Sequence, residues 1–169
     1  MIRPEHYRSY SAVFPILLRD GAKGREVLLH LRQNTGYMDD TWDFAGSGHV
    51  DENEKARQAV ARECREELGI TVAPADAEFV HLCHRVAGGD GRTYYDMCFV
   101  VRRYGGEPAV MEPEKNAGLR WFPADALPEN ISSAVEAMLP CCLAGVPYSE
   151  YLNDQPVVLH RPVQQEEAL

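Results

Sequence analysis

An amphipathic helix that ends at a glycine constrains the fold of this chain more than any other feature. Small and apolar residues repeat at every fourth position, which places them on one face of a helix. This stripe consists of Ala56, Val60, Cys64 and Leu68. Gly69 follows directly, and glycine commonly ends a helix because it tolerates the left-handed conformation. The pattern predicts a helix from about Glu54 to Leu68 that buries this face against a core.

Apolar and β-branched segments on both sides of that helix predict a sheet. The predicted strands span residues 10–18, 26–31, 41–44, 78–86, 93–103 and 118–122. Glycines at positions 21 and 24 predict a turn between the first two strands, and the glycine-rich run 88–91 predicts a hairpin later in the chain. The sheet would therefore combine strands from before and after the helix.

A second helix is predicted near the C-terminus. Ser133, with a glutamate three residues later, has the spacing of a capping box, so the helix would begin there and continue to about Leu143. Pro140 would kink this helix or end it early. We predict one α+β domain over residues 1–152, followed by a loosely ordered polar tail over residues 153–169.

Charge and composition narrow the classes of function. The 169 residues include 17 Lys and Arg against 26 Asp and Glu, a formal net charge of −9, which argues against a nucleic-acid partner. The five cysteines have no zinc-ligand spacing, which predicts reduced thiols. The N-terminus lacks the apolar core of a signal peptide, and the longest apolar run, residues 12–18, is too short to span a bilayer. We expect a cytoplasmic protein with no membrane partner.

Three glutamates crowd the C-terminal end of the first predicted helix, where negative charge is unfavourable. They are Glu63, Glu66 and Glu67. Each like-charged neighbour costs about 0.2–0.5 kcal/mol on a helix surface, and the helix dipole adds about 0.3–1 kcal/mol. A divalent cation held between the carboxylates would turn the repulsion into coordination. The alternative interpretation is an ordinary solvated helix face.

The segment from Gly48 to Ile70 resembles the signature of the Nudix hydrolase family, G-x5-E-x7-R-E-U-x-E-E-x-G-U, where U is a bulky apolar residue. All seven fixed positions are filled, by Gly48, Glu54, Arg62, Glu63, Glu66, Glu67 and Gly69. At usages of about 7% per residue type, the probability of a chance match is on the order of 10⁻⁸ per starting position. The resemblance extends from Tyr10 to about Leu152 and implies the family's fold, an α/β/α sandwich with a mixed sheet between helices.

The resemblance implies a bound metal cofactor, Mg²⁺ or Mn²⁺. Its ligands would be the carboxylates of Glu63, Glu66 and Glu67 together with the backbone carbonyl of Ser47. Arg62 and Glu54 correspond to the pair that orients these ligands. An ordinary ion pair between Arg62 and Glu66, one helical turn apart, is the alternative interpretation of that arginine, and both contacts could exist.

The resemblance also implies the reaction, which is hydrolysis of a nucleoside diphosphate linked to another group. Glu63 or Glu66 would be the base that accepts the proton of the attacking water. In many relatives a glutamate from a later loop joins the site. Here the candidates for that role are Glu112 and Glu114, of which Glu112 is favoured, and the alternative is that both are plain loop charges.

The segments RQNTGYMDDTWDF and EPEKNAGLRWFPADALPEN resemble the MutT-like branch, whose members often convert a nucleoside triphosphate to a monophosphate and pyrophosphate. Tyr37 is the candidate for stacking on the base, Arg32 for meeting outer phosphates, and Asn130 for contacting the base. The alternatives are a nucleotide-sugar hydrolase of the ADP-ribose type and a Nudix nucleotide sensor without catalysis. The partner would be a small nucleotide, and the chain would be a monomer or a homodimer.

Overall fold

The computed structural model of the protein describes residues 8–22, 24–86, 92–152 and 155–159. Within them the strands are β1 (Tyr10–Gly21), β2 (Gly24–Arg32), β3 (Trp42–Phe44), β4 (Gly48–His49), β5 (Ala77–Val86), β6 (Thr93–Val101), β7 (Asn116–Pro123), β8 (Tyr148–Leu152) and β9 (Gln155–Leu159). The helices are α1 (Ala56–Leu68) and α2 (Ser133–Leu143). The predicted hairpin turn at 88–91 and the tail beyond residue 159 lie outside the described residues.

The strands form one mixed sheet around β1. The strand order is β3-β2-β1-β6-β5-β8-β9, with β4 paired to β1 and β7 paired to β2. The β1–β6 and β5–β8 pairs are parallel, and the other pairs are antiparallel. β8 and β9 were not predicted, and β9 falls inside the segment predicted as a tail. The domain boundary at residue 152 stays a prediction.

The alternation of side chains along β1 separates two cores. Phe14 and Ile16 point to the core that α2 covers, whereas Val13 and Leu17 point to the core that α1 covers. Each such apolar side chain contributes about 1.5–3 kcal/mol when it is fully buried. The two helices therefore lie on opposite faces of the sheet, which confirms the predicted α/β/α sandwich.

α1 packs through the predicted stripe. Its buried residues are Ala59, Val60, Glu63, Cys64 and Leu68. The helix begins two residues later than predicted, because a turn in which the amide of Glu54 donates to the carbonyl of Asp51 precedes it. It ends as predicted at Gly69, which has a φ of 68° and donates its amide to the carbonyl of Arg65. The buried Glu63 is the exception in this apolar face.

The N-terminal cap of α2 differs from the predicted one. Ser132, not Ser133, is the cap, and its hydroxyl accepts from the amide of Val135 at 3.2 Å. The same hydroxyl donates to Asp43 at 2.7 Å, so a contact with the middle of β3 distinguishes the two serines. Pro140 lies inside the helix, which continues to Leu143 as predicted, so the proline does not end the helix early. Buried cysteines after the proline hold this last turn against the core.

Candidate active site

Gly48 allows a carboxylate to lie against the loop that precedes α1. A Cβ at this position would lie 2.1 Å from Oε1 of Glu63 and 2.2 Å from its Cδ. Real Cβ atoms never come so close, so any side chain at residue 48 would displace the carboxylate. The requirement for glycine here comes from this close approach of Glu63. The loop and the helix are thus fitted to each other at the predicted metal ligand.

Arg62 connects the loop to the predicted ligands. Its Nε and Nη2 donate to the two carboxylate oxygens of Glu54 at 2.9 and 3.0 Å, a bidentate pair. Nη1 donates to Glu63 at 2.7 Å and to Glu66 at 3.2 Å, and Nη2 also donates to the carbonyl of His49 at 2.8 Å. Hydrogen bonding to Glu54, above all, raises the pKa of Arg62. The pair with Glu54 and the pair with Glu66, weighed as alternatives in the sequence, exist together.

The three glutamates of α1 have different environments. Glu63 is buried, Glu67 is half-buried and Glu66 is exposed. Burial raises the pKa of Glu67 to about 7, and the negative charges of Glu63 and Glu112 add to the effect. Burial also raises the pKa of Glu63, although Arg62 opposes the shift. The site therefore holds more negative charge than its own cations neutralise.

The donor chemistry fits a hard divalent cation. Carboxylate and carbonyl oxygens are the ligands that Mg²⁺ prefers, and the excess negative charge around Glu67 is what such an ion would offset. Among the residues that the structure describes, no three His, Cys, Asp or Glu side chains converge into a ready cation cage. Oxygens of Glu63 and Glu66 are bonded to Arg62, whereas Glu67 accepts from the amide of Gly46 at 3.1 Å. Nothing in the donor set excludes the predicted ion.

The loop that carries Glu112 docks on the end of α1. The amide of Met111 donates to the carbonyl of Glu67 at 3.2 Å, and the amide of Ala109 donates to that of Leu68 at 3.0 Å. The carboxylate of Glu112 pairs with Lys115 at 3.1 Å. Glu112 directly follows Met111, so these backbone bonds bring its loop to the end of α1. The structure thus places the favoured late glutamate on a loop beside the end of α1 that carries Glu67.

A cavity of about 650 Å³ lies between the loop that precedes α1, the sheet and α2. Residues 47–49 form one part of its wall, and Gly48 contacts Glu63 from that side. Apolar side chains form a second part: Ala12, Phe14, Ala134, Ala137 and Met138. A volume of about 300–1,000 Å³ is typical of small-molecule sites, and a nucleoside is within that class. The cavity and the carboxylates are therefore neighbours across one short loop.

The predicted substrate residues are not all in this cavity. Tyr37 and Arg32 line it, and Tyr37 is 56% exposed. Arg32 is engaged within the protein, because it donates to Asp43 at 3.2 Å and to the carbonyl of Tyr37 at 3.0 Å. Asn130 lies outside the lining and donates to the carbonyl of Asp40 at 2.8 Å. Asn130 thus holds the preceding loop in place rather than pointing at a ligand.

Sequence reasoning missed an ion pair in the cavity, Arg85 with Asp96. Arg85 donates from Nε at 2.8 Å and from Nη2 at 3.3 Å to the two carboxylate oxygens. Asp96 is only 1% exposed. The signal was available, because Asp96 alternates with Tyr94 and Cys98 on one face of β6 and is the charged residue in that apolar face.

The sequence profile of the NUDIX domain matches residues 9–140. The chain therefore belongs to the NUDIX domain family, as the resemblance predicted. The MutT NUDIX hydrolase from Burkholderia pseudomallei is 27% identical over 79% of this chain and 98% of its own, with a TM-score of 0.70. The E. coli ORF135 protein is also 27% identical, over 82% of this chain and 88% of its own, with a TM-score of 0.60. A MutT protein from Bacillus halodurans, 21% identical over 88% and 95% of the chains, shares the fold at a TM-score of 0.66.

These similarities confirm a MutT-like Nudix hydrolase, an enzyme that acts on phosphoric anhydrides. No curated protein is similar enough to count as a match. Nudix hydrolases act on small nucleotide substrates and generally use divalent metal ions. Within the described residues, no helix is long and apolar enough to cross a membrane.

Proposed function

We propose that this protein is a Mg²⁺-dependent pyrophosphohydrolase that cleaves a nucleoside triphosphate to a nucleoside monophosphate and pyrophosphate, with Mn²⁺ as a possible substitute. The observation that carries the proposal is the position of the buried Glu63 carboxylate beside the cavity. Gly48 contacts Glu63 on one side of the loop and lines the cavity on the other. A nucleotide in the cavity would therefore place its phosphates next to the carboxylate cluster.

The metal would be held by Glu63, Glu66 and Glu67 and by the backbone carbonyl of Ser47. When bound, a divalent ion neutralises phosphate oxygens and lowers the pKa of a water molecule. Arg62 would fix the positions of Glu63 and Glu66, and Glu54 would hold Arg62 through the bidentate pair. Arg62 and Glu54 would take no part in bond breaking or bond formation. Their role would be to position the metal ligands.

The attacking water must lose its proton to a carboxylate. We propose Glu63 or Glu66 for this role, with Glu112 supporting the site from its loop. Glu66 is exposed and shares Arg62, so it can change partners without burying a charge. Glu112 pairs with Lys115 at 3.1 Å, which positions its carboxylate at the edge of the site.

The nucleoside would occupy the cavity. Its apolar wall suits a flat ring, and Tyr37 at the exposed rim can stack on the base, a contact worth about 1–3 kcal/mol. Arg32 supports this tyrosine by donating to its carbonyl, so its role is to shape the rim rather than to bind the outer phosphates. The arrangement favours a mononucleotide with one base.

A turnover screen tests the proposal. Canonical and oxidised nucleoside triphosphates, ADP-ribose, nucleotide sugars and dinucleoside polyphosphates would be incubated with Mg²⁺ and then with Mn²⁺. We expect a triphosphate to yield monophosphate and pyrophosphate, and Glu67→Gln to lose about a hundredfold in kcat/KM. Glu78→Gln, an exposed glutamate of β5, is the matched control and should keep full activity.

Two results would redirect the proposal. Turnover of ADP-ribose or a nucleotide sugar without turnover of triphosphates would show the nucleotide-sugar hydrolase. A nucleotide that raises the melting temperature only with metal, and that no condition hydrolyses, would show a sensor. In the second case Glu67→Gln would abolish the shift, because the same carboxylates would hold the ion for binding alone.

A further inference from the structure

The ion pair between Arg85 and Asp96 forms part of the cavity wall. The two residues lie on the neighbouring strands β5 and β6, and both line the cavity. Asp96 is almost fully buried, and each of its oxygens accepts one hydrogen bond from Arg85. The ring of Tyr94 lies 4.4 Å from the guanidinium carbon and limits its rotation. The guanidinium is therefore held in one orientation.

The pair leaves a defined set of groups for a ligand. A guanidinium has five N–H donors and no acceptor, and Asp96 takes one from Nε and one from Nη2. In the part of the chain that the structure describes, Nη1 makes no hydrogen bond. Asp96 has no exposed oxygen with which to accept from a ligand. This part of the wall therefore offers a ligand the remaining N–H groups of Arg85, on Nη1 and Nη2, and no acceptor. We call these rigidly held donors the fork.

The charge of the pair indicates what the fork would bind. The carboxylate of Asp96 neutralises Arg85, so a phosphate at the fork would be attracted by one charge and repelled by the other. A neutral base edge meets no such repulsion and can still accept hydrogen bonds. The apolar side chains of the same cavity fit a base better than a phosphate. The fork is therefore suited to recognising the edge of a base by hydrogen bonding.

We propose that Arg85 makes the enzyme select nucleotides whose base presents two adjacent hydrogen-bond acceptors; this inference rests on the proposed function. Guanine presents O6 and N7, and cytosine presents O2 and N3. Adenine places an amino donor beside N7 and N1, and thymine and uracil place an N–H between their carbonyls. Against the fork those donors leave buried N–H groups unpaired, which strongly disfavours a ligand.

Base ranking in turnover is the first test. kcat/KM would be measured for the four deoxynucleoside triphosphates with Mg²⁺. We expect dGTP, dCTP or both to exceed dATP and dTTP by about 10- to 100-fold. The 7-deaza analogue of dGTP and the 3-deaza analogue of dCTP each lack one acceptor of the pair, so the analogue of the preferred base should lose most of the advantage. Equal turnover of all four would overturn the inference.

Two variants connect the ranking to the guanidinium. Arg85→Lys keeps the charge without the fork, and Arg85→Gln keeps a donor without the charge. Both should lower kcat/KM for the preferred base by about 10-fold or more and leave dATP and dTTP within about 3-fold. Arg103→Lys, at an exposed arginine paired with Asp76, is the matched control. A uniform loss for all four nucleotides would mean a phosphate contact and would overturn the inference.

A binding measurement separates this inference from the proposed function. Calorimetric titration with the four deoxynucleoside monophosphates, without metal, reports base recognition independently of hydrolysis. Tighter binding of dGMP or dCMP, lost in Arg85→Gln, supports the inference even if no triphosphate is cleaved. Equal binding of all four by a protein that does cleave triphosphates leaves the proposed function intact and removes the role of Arg85.

Discussion

At the scale of single residues, the position of Glu63 depends on Gly48, which leaves the space that the carboxylate occupies. Gly48→Ala would drive a methyl group into the carboxylate of Glu63. We expect a loss of about a hundredfold in kcat/KM, as for a disturbed metal site, and a fall in stability of about 1–3 kcal/mol. Gly118→Ala is the control, because a Cβ there meets open space. Wild-type activity in Gly48→Ala would show that Glu63 is free to move.

Arg62 is the second residue whose geometry can be tested. It donates in two directions at once, to Glu54 and to the predicted ligands. Arg62→Lys keeps the positive charge, but all donors of a lysine are on one nitrogen. Lysine therefore cannot hold Glu54 and the predicted ligands at the same time. We expect kcat to fall about 10- to 100-fold with little change in KM. Arg65→Lys, exposed on the same helix, should behave as wild type; equal losses in both variants would argue against a positioning role.

At the scale of elements, the ends of the helices show what local sequence decides. Gly69 ends α1 as predicted, because the left-handed conformation is a local preference of glycine. The capping-box spacing favours Ser133, because only that serine has a glutamate three residues later, whereas the contact with Asp43 makes Ser132 the cap. The choice of cap is thus made by tertiary structure, which a local pattern does not contain.

This difference predicts unequal effects of two adjacent alanine substitutions. Ser132→Ala removes the cap of α2 and a partner of the buried Asp43. We expect a loss of about 1–2 kcal/mol in the free energy of unfolding, measured by urea titration. Ser133→Ala, one position later, should change stability by less than about 0.5 kcal/mol. A larger loss in Ser133→Ala would restore the cap predicted from sequence.

At the scale of the whole molecule, the part of the site that can be predicted is the part whose residues are close together in the sequence. Glu63, Glu66 and Glu67 lie on one helix, so their spacing alone places them at the same end of it. Arg85 and Asp96 meet only because of the β5–β6 register, which shifts at an irregularity between Phe79 and His81. A slip of one residue would place Arg85 on the other face of the sheet. Sequence patterns predict strands but not this register.

At the scale of the whole molecule, we expect stability at acidic pH to depend on His81, a fully buried residue of β5. Its Nδ1 lies 2.7 Å from the carbonyl of Val146, and its Nε2 lies 2.9 Å from the hydroxyl of Ser149. Burial lowers the pKa of His81 below its ordinary value of 6.5. The unfolded chain therefore binds a proton, as pH falls through about 6.5, that the folded chain does not accept.

The resulting stability is complete above the unfolded pKa and is lost as pH falls below it. Between pH 7.5 and 5.5 we expect the free energy of unfolding of the wild type to decline more steeply than that of His81→Gln, because glutamine can bond both partners of His81 without titrating. Urea titrations at several pH values measure both slopes. His84→Gln, on the same strand, controls for the loss of a histidine as such. Equal slopes in wild type and His81→Gln would assign the acid sensitivity to other groups, among them the buried His30, whose pKa burial also lowers. A shallower slope in His81→Gln alone ties the β5–β8 pairing to the neutral state of one imidazole.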